Sequence, residues 1–540
     1  MNRILITALV LCHGFNFLRA QPLAAVPRFK GLGRHHHPIT TRWELAQRYF
    51  DQGMTLCYNF NHAEAIRSFQ AAAMVDTNSA MAWWGVAFAY GPNINMPMED
   101  SAVPKAWDAL QKALALKSYA SAKERDYIDA LARRYAKEPL KDRSALDQSF
   151  ADAMRAVVKK YPGDLDAQVL LAEALMDTSP WNYWTKELSS KPSAKEALAV
   201  IESVLARVPS HSGADHLRIH LVEAGPNPAQ AIPSAERIGK LTPKAGHLVH
   251  MASHIYVRVG RYHDASTVNE RASGVDEDYL EVQKPTGVYP GGYYPHNLHF
   301  LWYATDLEGR GNDSIAAARK VSNYTLDLRC GAIEGPRLRY LPFLACARFG
   351  RWDEILREPL PAAEYPFDRA MAHYARALAF AARQQVKEAE GEFARFKELQ
   401  KSEGVKAMDN PYFPGSKILV VAEHMVAGKI AGAAGRTEEM LHQLRAAVQA
   451  ESELSYMEPP YWYYAGKLSL GAGLIRAGQG AEAEQVFRAA LKELPANGWP
   501  LFGLEQSLRA QGKEAEAKQV ARDFKQAWKR ADTKLDLAWF

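Results

Sequence analysis

The chain is expected to be all-α, a solenoid of stacked helical hairpins, and three features of the sequence carry that expectation. Small and aromatic residues recur at a fixed interval, helical periodicity runs throughout with short Gly-Arg turns (Gly260-Arg261, Gly309-Arg310, Gly350-Arg351, Gly435-Arg436), and no alternating strand pattern competes with it. At 540 residues the chain is also too long for one hydrophobic core, so repeats replace several separate domains.

The interval can be followed residue by residue. From Gly53 the sequence places Ala65, Phe69 and Ala72 at steps of twelve, four and three. Near the other end Leu470, Gly471, Leu474, Ala483, Phe487, Ala490 and Pro495 satisfy the same template, and Ala517 follows Ala483 by 34 residues. In the middle Ala197, Ile201, Val204 and Pro209 reappear 34 residues on as Ala231, Ala235, Ile238 and Pro243. Small residues let two helices approach and large ones fill the gap; this spacing and period resemble the tetratricopeptide repeat, whose hairpins stack into a right-handed superhelix. Trp83, Val86, Ala87 and Tyr90 open another copy, delayed by the turn-rich insert at 91–97.

These signals divide the chain into a leader at 1–20, an amino-terminal arm at 21–45, a first array at 46–275, an insert at 276–294 and a second array at 295–540. The insert carries Pro285, Gly287, Pro290, Gly291 and Gly292 and reads as an ordered lid or a crossing loop. The leader runs from Asn2-Arg3 through apolar Ile4 to Leu11 and reaches Ala20 before Gln21-Pro22, the pattern of a signal peptide, although Cys12 and His13 interrupt it early. A secreted or periplasmic location is the expectation. Leu11 before Cys12 argues against a lipid-anchoring cysteine, and the remaining Cys57, Cys330 and Cys346 allow one disulfide but no disulfide framework.

No later run of about 18 apolar residues exists, so an integral membrane protein is not expected. With 66 basic against 61 acidic residues and no dense basic block, nucleic acid is a poor partner. Metalloprotease, Ser-hydrolase, phosphate-loop, dinucleotide and covalent-haem motifs are all missing, and no catalytic residue is assigned.

The histidines are the most informative residues. Nine of the 17 lie between 211 and 299, where even spacing would put roughly three. His216 and His220 make a His-x3-His step, and adding the 34-residue period gives His250 and His254. The next first helix carries His299, with Tyr303 in the place of a second histidine; one turn earlier stand His247 and His296. Residues three and four apart share a helix face, and neighbouring helices lie about 8–10 Å apart, so imidazoles from successive repeats can converge. Imidazole is a common ligand of transition metals, and such a cluster suits copper, zinc or iron better than magnesium or calcium. Asp215, Glu223 and Asp264 are near enough in sequence to ligate or to orient the rings. His35-His36-His37 either folds over the groove or stays a flexible arm, while His62, His373, His424 and His442 read as isolated side chains.

Several phrases, His36-His37-Pro38-Ile39-Thr40-Thr41, Gly91-Pro92-Asn93-Ile94-Asn95, His247-Leu248-Val249-His250-Met251 and Pro459-Pro460-Tyr461-Trp462-Tyr463-Tyr464 among them, resemble a family of secreted or periplasmic bacterial tetratricopeptide-repeat proteins of poorly defined function. The resemblance implies a repeat architecture, an extracytoplasmic setting and a histidine stripe lining an open concave groove. Two functions follow as expectations: a groove that holds a transition metal through His216, His220, His247, His250, His254, His296 and His299, or a metal-free scaffold that binds a protein or peptide, with Tyr303, Arg337, Arg339 and Tyr340 available to grip it.

Overall fold

The computed structural model describes residues 26–326, 338–410 and 413–540. Among them the chain is helical almost throughout, with isolated bridges such as Asn93–Met96 in place of any strand. It is an all-α solenoid of helical hairpins, as the repeat spacing requires. The leader, Arg337, Cys12 and Cys330 lie outside the described residues. Cys57 and Cys346 are buried free thiols.

The repeat spacing has a direct steric meaning. Phe69 is wholly buried against Gly53 and Gly85, where an added Cβ would stand 2.4 and 2.5 Å from its ring. Phe487 sits in the same way between Gly471 and Gly503, at 2.5 and 2.1 Å. Each aromatic therefore closes a hairpin because the facing helices offer no side chain at that point. The Gly-Arg turns end the first helices by a common device. Gly260, Gly309, Gly350 and Gly435 take positive φ, and the following arginine amide donates back to a carbonyl five residues earlier, as Arg310 does to Thr305 at 3.0 Å.

Seven helices position the candidate site: Glu44–Tyr58 (α1), Leu165–Asp177 (α2), Ser212–Val222 (α3), Gly246–His250 (α4), Ala252–Arg258 (α5), Tyr262–Gln283 (α6) and Tyr294–Glu308 (α7). The insert expected as a loop at 276–294 is mostly helical: α6 runs on through Gln283, and Tyr289–Tyr293 forms a π-helical turn that leads straight into α7. Burial explains the difference. Asp276 on α6 accepts hydrogen bonds from Tyr289 (2.8 Å) and from Asn297 on α7 (2.7 Å), so the glycine-rich stretch is held as a packed turn.

The two ends of the array return to its middle. Asn59, just after α1, donates to Tyr289 at 3.2 Å and accepts from the Leu248 amide at 3.1 Å. From the other end, the Trp499 indole and the Asn497 amide donate to the carbonyls of Asp306 and Leu307 on α7, both at 3.0 Å. The arm preceding α1 also packs down. Val26, Leu32 and His37 are buried, and the Gly31 carbonyl accepts from the Lys244 amide at 3.0 Å.

Candidate metal centre

Four of these helices bring six imidazoles into one buried space. His216 and His220 face inward from α3, one turn apart; His247 and His250 come from α4, His254 from α5 and His296 from the first turn of α7. They divide into two sets, His216/His220/His247 and His250/His254/His296, and within each set the three ligand nitrogens lie within 4.8 Å of one another. The sets adjoin: the His247 and His250 rings are 5.7 Å apart and those of His220 and His254 5.6 Å.

The nitrogens that face each other are the outer ones. His216 Nε2 and His247 Nε2 are 3.2 Å apart, and His250 Nε2 and His254 Nε2 are 2.9 Å apart. Two nitrogens bound at about 2.0–2.1 Å to one ion lie roughly 3 Å from each other, so both pairs are already at ligand separation.

The inner nitrogens are tied from behind. Glu223, at the carboxyl-terminal cap of α3, accepts from His220 Nδ1 at 2.7 Å and from His254 Nδ1 at 2.5 Å, so one carboxylate fixes a ring in each set. His250 Nδ1 donates to Asn269 Oδ1 at 2.6 Å, and Asn269 in turn donates to the Ala265 carbonyl, which settles the orientation of its amide. With the proton on Nδ1, the Nε2 lone pairs of His220 and His250 point into the cluster, and His220 Nε2 is buried with no hydrogen-bond partner.

Electrostatics keep most of these rings neutral. Burial, reinforced by neighbouring imidazoles, holds His216, His247, His250 and His296 well below the usual histidine range. Burial lowers His220 as well, against the pull of Glu223. At His254 burial also disfavours charge, yet the Glu223 carboxylate and Glu458 outweigh it and raise the group to about 10. Burial likewise acts against the charge of Glu223, and His254 and His220 overcome it, lowering the carboxyl to about 2.

Aromatic rings close the space. Phe60 lies over the first set, 4.5 Å from His216 and 5.4 Å from His247, and Phe300 over the second, 4.9 Å from His250 and 4.6 Å from His254. Tyr293 of the π turn meets His247 at 4.7 Å and Trp181 meets His220 edge-on at 5.2 Å. Phe60 and Trp181 both hold positive φ, 53° and 61°. Bulky residues adopt that conformation only where the surroundings enforce it.

The histidine stripe is therefore not an open groove. His216, His220, His247, His250 and His254 are at most 2% exposed, because the turn after α1 and the π turn before α7 are laid across them. Of the seven predicted ligands, six converge; His299 lies outside both sets and stacks on Trp302 at 5.3 Å. Of the expected gripping residues, three fall among the described ones. Tyr303 and Tyr340 are buried, and Arg339 stacks on Tyr365 at 3.8 Å. Asp215 pairs with Arg237 and Asp264 with Arg261, so of these three only Glu223 reaches the cluster, where Glu458 joins it 3.3 Å from His254 Nδ1.

The arm histidines make a separate knot. His37 Nδ1 and His211 Nε2 donate to Asp166 on α2 at 3.0 and 3.2 Å, as does the Tyr58 hydroxyl, with His35 Nε2 at 3.3 Å. His211 Nδ1 accepts from the Ala214 amide, so its proton sits on Nε2 and its lone pair is used within the protein. These residues anchor the arm over α2 and α3. Nothing in the repeat spacing points to Asn269, Phe60, Phe300 or Glu458. Only Phe60 carries a local signal, in the flanking asparagines of Asn59-Phe60-Asn61.

No family model and no curated protein sequence matches the chain. Its helices align loosely with solved structures: a human IFIT1 dimer with m7Gppp-AAAA (12% identity, TM-score 0.33, 90% of this chain and 91% of that one), yeast Tom70 (14%, 0.29, 90% and 95%) and the P58(IPK) TPR domain (12%, 0.24, 87% and 99%).

Proposed function

We propose that this solenoid holds a pair of transition-metal ions, one in each three-imidazole set, in an extracytoplasmic setting. The observation that carries the reading is the double orientation of the rings: Nε2 atoms face one another at 3.2 and 2.9 Å while Glu223 and Asn269 hold Nδ1 atoms from behind. A buried cluster built only to be stable would gain nothing from six imidazoles and an unpartnered Nε2, since apolar side chains fill such a space at lower cost. Imidazole nitrogens, with His254 giving up its Nε2 proton as an ion binds, select copper, zinc or iron over magnesium and calcium. Three protein ligands leave a coordination position open for water or a small molecule.

Metal analysis of the mature protein, purified without a histidine tag, tests this. Two equivalents of copper, zinc or iron are expected, falling to one in either His220→Ala or His254→Ala and to none in the double variant. Protein that stays metal-free in the presence of all three ions reduces the chain to a helical scaffold for a protein or peptide partner. Amino-terminal sequencing of the exported chain tests the location; a retained residue 1 on cytoplasmic protein overturns it.

A further inference from the structure

A second cavity lies in the later repeats, away from the histidines. It encloses about 80 Å³ and is walled by Trp352, Tyr463, Tyr464 and Trp539, with Arg348, Lys429 and Arg476 as its charged groups. No carboxylate lines it. Room on that scale holds about five water-sized groups, enough for a small oxyanion and too little for a nucleotide.

Its charges are out of balance. Arg348 is 2% exposed, sandwiched against the Trp499 ring at 3.3 Å and the Tyr464 ring at 4.7 Å. Among the described residues its carboxylate contact is Asp306 at 3.4 Å, and its buried Nη1 has no partner there. Arg476 donates to the Gly432 carbonyl at 3.3 Å and forms no ion pair among the described residues, and neither does Lys429. Burial, with Arg476 and Arg348 close by, lowers Lys429 to about 7. Cations gathered in a partly desolvated space repel one another and lose hydration, a cost that a bound anion removes. The aromatic walls strengthen the attraction by excluding water.

We infer that this cavity is a binding site for a small oxyanion, a phosphate or a carboxylate, held between Arg348, Lys429 and Arg476. It is independent of the metal centre. Arg348 anchors one side through its fixed guanidinium, Lys429 meets the anion within, and Arg476 closes the outer side.

Calorimetric titration of the full-length mature protein with inorganic phosphate, sulfate and acetate, at ionic strength held constant with chloride, tests the site. Saturable one-to-one binding of at least one of these is expected, and the preferred anion separates tetrahedral from carboxylate ligands. Lys429→Met should weaken it at least about tenfold while the melting temperature of the ligand-free protein holds or rises, because an unpaired cation has left a half-buried position. Arg476→Gln should weaken it to a smaller degree. Absence of saturable binding by all three anions, or equal binding by folded Lys429→Met, overturns the inference. A Lys429→Met protein that melts lower and keeps its affinity shows a purely structural lysine.

Discussion

Glu223 holds one ring of each histidine set through its two oxygens, and the consequences of losing that carboxylate are specific. In Glu223→Gln the amide oxygen can still accept from one Nδ1, while the amide nitrogen faces the other as a competing donor. Removing such an orienting partner commonly costs about 10–100-fold in metal affinity. Competition titration of the variant should show both sites weakened together, whereas His216→Ala should weaken only the first; independent behaviour of the two sites in Glu223→Gln would contradict a shared anchor. At this scale the sequence was informative about chemistry and silent about partnership. The steps His216/His220 and His250/His254 are visible as spacing, and Glu223 stands close by in the chain. Alignment on the terminal Gly-Arg turns, however, equates His299 with His250, while the structure takes His296, a turn earlier, for the second set. Register counts residues along equivalent helices and cannot register where a helix begins, which here is decided by the π turn at Tyr289–Tyr293.

Between elements, the glycine-to-phenylalanine contacts and the covering turn make separable predictions. Gly53→Ala forces a methyl to 2.4 Å from the Phe69 ring and should cost about 1–3 kcal/mol, read as a lower midpoint in urea. Adding Phe69→Leu should recover part of that loss, and a further additive drop would mean that the two residues do not compete for the same space. The π turn brings in a pH dependence through Asp276, whose burial raises its carboxyl from 3.8 to about 7 although Tyr289 and Asn297 donate to it. A carboxyl raised on folding stabilises the protein fully below its unfolded pKa, near 4, and that contribution is lost as pH rises through about 7. Melting temperature should therefore decline across that interval, and Asp276→Asn should flatten the decline; identical slopes in the two proteins would exclude this group as its source. The hairpins themselves were legible because small and aromatic residues obey local periodicity. The helical nature of 276–283 was obscured by Pro285, Gly287 and the glycines that follow, which read as a loop until the buried bonds of Asp276 are seen.

In an open repeat array each unit touches only its neighbours, and damage at one end leaves the rest standing. This chain departs from that scheme, since Asn59 near the start and Trp499 near the end both bond to the central helices. Trp499→Ala should cost about 3–5 kcal/mol and lower hydrogen-exchange protection in α7, which carries His296, some two hundred residues away in the chain. Protection lost only around residue 499 would show instead that the ends are loosely attached. The same return of the ends explains why burial of the histidines could not be foreseen: Phe60 and Tyr293 reach the first set from parts of the sequence that no 34-residue rule connects. It also sets an order of construction. As the polypeptide is synthesised, Phe60 emerges before any of the six imidazoles and Glu458 after all of them, so the back wall is made first, the ligands next and the bolt last. For the proposed ions, loading during that interval and loading after closure are therefore different kinetic problems, the second requiring the finished cage to breathe.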